Sequence, residues 1–465
     1  MKPGDRVEDP TWGPGVVRQL RDGGRALLVA FDKAPKALQI VKTLSVRLLS
    51  TADAAAEPAS PNPAFALTVP TRSRTADAAP VRQALEALRL GVVPPTGLDA
   101  LTVGRAGELA SLQRLLAAGR GMRLVSGEFG SGKSHLLELV EAHALAAGFA
   151  VARATFDPVE VPPSHPLRIY AALMAHLRWP GSSGLGLRPL METLAESVRH
   201  REPDGERFHR WLSPALWAAS QDAETAATAI EWVEGAGHAE LDSLNRRFLR
   251  GGWTGPSLLA LPDYRTFGQI MASLLGAVAA WSRDAGYRGL VVLLDEAEYL
   301  DRMVGQSREM AENVLRYLAV ATLDDAELAF RPDSIYRGGH AVHRGVNPRF
   351  EADQPLIVLA TFTPNPELSA VLGGLVADHR LLLPLDPLSP RTLSLLSDRV
   401  LDLVQQVYPT LSPTLPSRRA IRDGLNEALE SGAVQSTRQA ARMVLTYWDL
   451  YRRSPELAAA ALAGR

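Results

Sequence analysis

The stretch GEFGSGKS, Gly127 to Ser134, fits the pattern GxxxxGK[ST] and carries the residue types that phosphate binding needs. Gly127, Gly130 and Gly132, with Glu128, Phe129 and Ser131 between them, let backbone N–H groups converge on phosphate oxygens. Lys133 can then reach the terminal phosphates and Ser134 can offer its hydroxyl to Mg2+, with His135 following in the same turn. The flanks are those the chemistry requires: MRLVS before the loop reads as a strand and HLLELVEAHALAAG after it as a helix, whose N-terminus favours an anion. Lysine usage sharpens the reading. The chain has lysine only at Lys2, Lys33, Lys36, Lys42 and Lys133, and every other basic position is Arg, so a compact ammonium is retained at the one place where a phosphate would need it.

A phosphate loop implies a second, acidic strand end. GLVVLLDEAEYL supplies it, with Leu290 to Leu294 apolar and Asp295 and Glu296 at the tip. An unbroken apolar run suits a central parallel strand buried on both faces, and ligands bind at the C-terminal ends of such strands. Asp295 is placed to hold Mg2+ and Glu296 to polarise the attacking water, with Glu298 as the rival base. A third apolar run, PLIVLATFTPNPEL, ends in Thr361, Thr363 and Asn365.

These motifs resemble those of the AAA+ ATPases, which implies ATP and Mg2+ as ligands and a parallel α/β sheet flanked by helices. On that resemblance the third strand end carries sensor 1, here Thr361, although Thr361-Phe362-Thr363 stands where the family usually has Asn directly after the strand. LTVGRAGELASLQRLL resembles the GRxxEL box of the origin-recognition and STAND groups, which brings Gly104 and Arg105 near the adenine. DHRLLLPLDPLSPRTLSLLSDRV resembles the segment with the arginine finger, making Arg380 the finger, and STRQAARMVL resembles the sensor 2 helix, making Arg438 the lid arginine. Either arginine could equally be a surface residue. A finger acting in trans implies a homo-oligomer.

The elements that must position this site are punctuated clearly. Residues 1–50 read as a small β module around the turn Asp22-Gly23-Gly24, with nine basic and five acidic residues and hence a local charge of +4. Their GDRVEDPTWGPGVV pattern resembles Tudor or SH3-like barrels of bacterial helicases and transcription-coupling proteins, which implies a recruiting module. Trp12 and Phe31 are then either its contact residues or its core. Residues 51–78, rich in Ala, Pro, Ser and Thr, read as a flexible linker. An ATPase core is expected over 79–385, with inserted helices at about 157–265, and a helical lid over 386–465. Five of the eight tryptophans fall in the insertion, as packing residues or as stacking platforms for nucleic acid, and Arg246, Arg247 and Arg250 beside Trp253 form a basic-aromatic group.

Lys plus Arg is 50 against 51 Asp plus Glu, so contact with DNA would have to come from a local patch. Cysteine is absent, which excludes disulfides and thiolate metal sites. The N-terminus lacks an apolar signal core and the longest apolar run, Ile270 to Trp281, is shorter than a bilayer span, so no membrane role and a cytoplasmic location are expected. ALEALRLGVVPPTGLDALTVGRAGEL, GEFGSGKSHLLELV and GLVVLLDEAEYL together resemble the ATP-binding proteins of bacterial phage-exclusion (BREX-type) defence islands over roughly residues 80–450. The resemblance implies antiviral defence on or near DNA, with a partner helicase, and the basic N-terminal module stands outside that shared core. The alternative from another class is a STAND-like switch that binds ATP and recruits protein partners without touching DNA.

Overall fold

The computed structural model describes residues 6–9, 13–21, 26–32, 38–42 and 47–48, then 78–454 and 456 apart from 95, 236–240, 379–380 and 412. The chain divides into two compact units, Met1–Thr75 and Ala76–Arg465. In the first, β1 (Arg6–Asp9), β2 (Gly13–Arg21), β3 (Ala26–Phe31), β4 (Leu38–Lys42) and β5 (Arg47–Leu48) form an antiparallel sheet in the order β4-β3-β2-β1-β5. Val7, Val17 and Val29 are its buried apolar side chains among those described, and the register of β2 on β3 shifts between Val17 and Gln19. Such a shift bends a strand and raises its twist. Trp12 lies outside the described residues, as do residues 51–77 of the linker expected over 51–78, whose last residue, Ala78, opens α1.

The second unit is built on a parallel sheet of β6 (Gly121–Ser126), β7 (Ala150–Thr155), β8 (Leu290–Asp295), β9 (Leu356–Phe362) and β10 (Leu382–Pro384), ordered β10-β6-β9-β8-β7. Period-two alternation sends successive side chains to opposite faces. Val291, Leu293, Ile357 and Leu359 meet α3 (Ala106–Ala118) and α4 (Lys133–Ala146) on one face. Leu290, Val292, Leu294, Leu356 and Val358 join the large cluster containing α11 (Gly268–Asp284) and α12 (Gly305–Thr322) on the other. Both faces being covered explains why β8 and β9 are buried at every residue. Because β9 lies between β6 and β8, the strand that feeds the glycine loop and the acidic strand are one strand apart, with the Thr361 strand between them.

Between β7 and α11 stand α5 (Pro166–Ala175), α6 (Arg188–Leu194), α7 (Val198–Arg201), α8 (Leu212–Ala219), α9 (Ala223–Val233) and α10 (Leu241–Arg250). The tryptophans of this segment are packing residues. Trp179, Trp211, Trp217 and Trp253 are buried, Trp232 is half-buried, and Trp217 meets Phe248 and Trp253 at ring distances of 5.6 and 5.5 Å. Trp253 also donates its Nε1–H to the Pro256 carbonyl at 3.0 Å. Arg246, Arg247 and Arg250 are exposed while Trp253 is buried, so the expected basic-aromatic group presents arginines without a free ring.

A separate hydrophobic cluster organises the C-terminal helices α14 (Pro390–Val407), α15 (Leu415–Glu430) and α16 (Thr437–Arg453). It also takes in Leu85 of α1 (Ala78–Leu90) and Leu101 of the short α2 (Leu98–Leu101). Arg89 fixes α1 to α16 through a two-pronged contact with Asp449, at 3.0 and 3.1 Å. Helix α1, which begins the second unit, is therefore packed with the last helices of the chain. The remaining helix, α13 (Pro366–Gly373), follows β9 and is capped by the Asn365 side chain accepting from the Leu368 N–H at 2.8 Å.

Candidate functional site

Strand β6 stops where the Gly127 N–H bonds to the Phe362 carbonyl of the neighbouring strand at 3.1 Å, and the chain turns back through Ser131 N–H to Glu128 C=O at 3.0 Å. Gly132 then takes φ 104°, a conformation that glycine adopts without a Cβ clash, and α4 starts at Lys133 with no side chain capping it. The amides of its first turn thus face the loop's interior without helical acceptors, as an anion-binding end requires. Lys133 is buried to 8% exposure. Its Nζ donates to the Gly127 carbonyl and to Thr363 Oγ1, each at 2.9 Å. Neither acceptor is charged, so the ammonium is held across the loop by groups that a phosphate oxygen outcompetes.

Asp295, buried at the end of β8, gathers four donors. Ser134 Oγ lies 3.1 Å from its Oδ2 and Arg153 of β7 lies 3.4 Å from the same oxygen. Thr361 Oγ1 and the Glu296 N–H, at 3.1 Å, both reach Oδ1. Arg153 also pairs with Glu138 of α4. The hydroxyl of Ser134 and the carboxylate of Asp295 form a hard-oxygen pair beside the loop, which fits a Mg2+ ion that keeps most of its other ligands as water and phosphate. Thr361 is fully buried and serves Asp295. Thr363, just past the end of β9, is the threonine in contact with Lys133, and it donates in turn to Glu298 Oε1. The other oxygen of Glu298, Oε2, is buried without a hydrogen-bond partner among the described residues.

Glu296 lines the same cleft as Lys133 and Ser134. It sits at φ 62° and ψ 38°, the one non-glycine residue with positive φ among those described. Burial, and then the neighbouring Glu298 and Asp295 carboxylates, push its pKa upward, with Lys133 opposing. A raised carboxyl beside a cationic phosphate loop is the arrangement expected of a proton acceptor.

Beyond the loop the cleft becomes apolar, lined by Leu88, Val92, Val103, Leu388 and Ala441. Arg105 is buried here and ties the loop down. It donates to the Ser131 carbonyl at 2.7 Å and to Glu108 at 2.9 Å. Gly104 precedes it at φ 67°. His135 Nε2 meets Thr102 Oγ1 at 2.8 Å, and burial followed by the Arg105 charge holds its pKa down. Glu128 and Phe129 stand exposed at the loop's crown, with the Arg438 guanidinium of α16 over the Phe129 ring. The structure thus gathers Gly127 to His135, Arg105, Asp295, Glu296 and Arg438 around one cleft, while Arg380 lies outside the described residues. Arg153 escaped the sequence reading. Its signal was a lone charge in the apolar strand AVARAT, which needs a buried acid opposite.

No curated protein matches the chain. The family described as BREX system ATP-binding protein BrxC/D matches residues 77–209 and 205–327, which together span α1 through α12 and more than half of the 465 residues. The matched span contains the glycine loop, Arg153, Asp295, Glu296 and Glu298, the same residues that converge on the cleft, and the chain belongs to the BREX system ATP-binding protein BrxC/D family.

Proposed function

We propose that the chain is a Mg2+-dependent ATPase of AAA+ type acting in phage defence. The observation that carries this reading is the meeting of Ser134 with Asp295 at 3.1 Å beside a buried Lys133 and a strained Glu296, all at the C-terminal ends of parallel strands. The five-strand order, with the Thr361 strand between the loop strand and the acidic strand, supports the AAA+ assignment. Lys133 exchanges its two neutral acceptors for the terminal phosphate oxygens of ATP. Ser134 and Asp295 would hold Mg2+, which would supply positive charge to the phosphates. Glu296 orients a water and accepts its proton as the oxygen attacks the γ-phosphorus and the bond to the bridging oxygen breaks, releasing ADP. Glu298 is the second carboxylate within reach of this chemistry.

Thr363 takes the sensor role in place of Thr361, because it bridges Lys133 and Glu298 and so registers whether the lysine is engaged with phosphate. Arg438 comes from the lid side of the cleft, and Arg380 would act on a neighbouring subunit's ATP in a homo-oligomer. The residues of β9, the lid and Arg380 lie beyond the matched span, so their roles rest on position in the fold and on motif. The N-terminal antiparallel sheet, read as a Tudor or SH3-like barrel with a local charge of +4, recruits DNA or a partner helicase.

The test is phosphate release by the full chain with and without duplex, forked and single-stranded DNA at fixed salt. Mg2+-dependent turnover that rises with DNA is expected. DNA-independent, slow turnover with tight ATP retention would replace the DNA-coupled reading with an ATP-gated protein switch, and absence of turnover under all conditions would remove the enzyme assignment.

A further inference from the structure

We propose that Phe129 is a positioning residue for the lid: its ring seats the guanidinium of Arg438 at the mouth of the cleft, so that the phosphate loop and α16 move together. This rests on the lid-arginine role given to Arg438 above. Phe129 is 75% exposed at the crown of the loop, where a large apolar ring gains little from burial. What it does have is a partner. The Arg438 guanidinium carbon lies 5.7 Å from the ring centroid, within the range in which the negative face of an aromatic ring attracts a cation.

Three further features converge on this contact. Arg438 stands in the first turn of α16, where the helix dipole disfavours a positive side chain and the turn itself holds no acidic residue, so a local seat has something to oppose. Its stem passes over Gly91, where a Cβ would lie 3.3 Å from both Arg438 Cγ and Cδ and 3.1 Å from Arg442 Cδ, so the side chain is guided from beneath as well. Next to Phe129, a Cβ on Gly130 would stand 2.4 Å from the Cβ of Ser436, the residue that caps α16. Adjacent loop residues thus meet the start of the lid helix twice, by backbone proximity at Gly130 and by ring and cation at Phe129. A shift of the loop on binding phosphate carries Arg438 with it.

The test measures ATP and ADP affinity and steady-state turnover for Phe129→Leu, Phe129→Ala, Phe129→Trp, Arg438→Ala and the double variant Phe129→Ala/Arg438→Ala, with thermal melts to verify folding. A contact of this class at an exposed site corresponds to about a two- to fivefold effect. Phe129→Leu, which keeps apolar bulk without a π face, is expected to lose about that factor in preference for ATP over ADP and in kcat. Phe129→Trp restores both, and the double variant is no worse than Arg438→Ala alone. Wild-type behaviour of Phe129→Leu, or additive losses in the double variant, overturns the inference while leaving the lid-arginine role intact. If Arg438→Ala itself leaves the ATP-over-ADP preference unchanged, the role assigned to Arg438 fails, and the seat proposed for it fails with it.

Discussion

Glu296 combines two unfavourable features at one position, and replacing it separates them. Its left-handed backbone, φ 62°, costs a non-glycine residue about 1–2 kcal/mol. Its carboxylate stands beside Glu298 and Asp295, which with burial raises its pKa. Glu296→Gln removes the charge and keeps the backbone conformation. Glu296→Gly removes both, at an added entropic cost of about 0.5–1 kcal/mol for ordering glycine. The net backbone gain for glycine over glutamine is therefore about 0.5–1 kcal/mol, or about 0.6–1.2 °C in melting temperature for a unit of this size. In differential scanning fluorimetry at pH 7.5 the order expected is wild type lowest, Glu296→Gln higher and Glu296→Gly highest, with both variants losing ATP turnover. The pH dependence has a definite sign. A carboxyl whose folded pKa is raised contributes stability at pH below its unfolded value and loses it as pH rises through the folded value. The gap between wild type and Glu296→Gln should therefore close as pH falls from the raised value toward the ordinary glutamate range. A Glu296→Gly protein that melts below wild type at pH 7.5 would refute the argument that this site is held under strain for function.

Thr361→Val should raise the Mg2+ concentration needed for half-maximal turnover, because its hydroxyl serves Asp295, whereas Thr363→Val should lower kcat at saturating Mg2+ by breaking the link from Lys133 to Glu298. A magnesium titration of both variants distinguishes the two positions, and identical profiles would contradict the division of roles. Trp253→Ala should cost about 3–5 kcal/mol, seen as a lowered melting temperature, while the folded protein keeps basal turnover, since Trp253 lines no part of the cleft. Removing residues 1–75 should leave basal turnover near normal, because every cleft residue lies in the second unit, and should weaken DNA or partner binding most at low salt. Lost turnover in the truncated protein would make the first unit a structural part of the ATPase.

The cleft was legible in the sequence to the extent that its chemistry is local. Gly127 to Ser134 and Leu290 to Asp295 each carry their own loop or strand signal, because an unbroken apolar run and a glycine-spaced turn need no distant partner to be recognised. The choice between Thr361 and Thr363 was not local. Alternation along β9 does not say that Thr361 points at Asp295 beneath the cleft while Thr363, one residue past the strand, reaches Lys133; that depends on β9 lying between β6 and β8. β10 is a three-residue strand whose pairing with β6 comes from tertiary placement, and α1 reads as an amphipathic helix without revealing that its apolar face packs with α14 and α16. The insertion tryptophans were open between packing and stacking because ring burial depends on helices far apart in sequence, as with Trp217 against Trp253.

The most direct test of the account is calorimetric titration of the full chain with ATP in the presence of Mg2+, wild type against Lys133→Ala. The wild type should bind ATP at one site per chain. Lys133→Ala should show no measurable binding, since the only lysine after residue 42 is the cation at the loop and both of its acceptors are neutral. Equal affinity in the two proteins would contradict the assignment of this cleft as the nucleotide site.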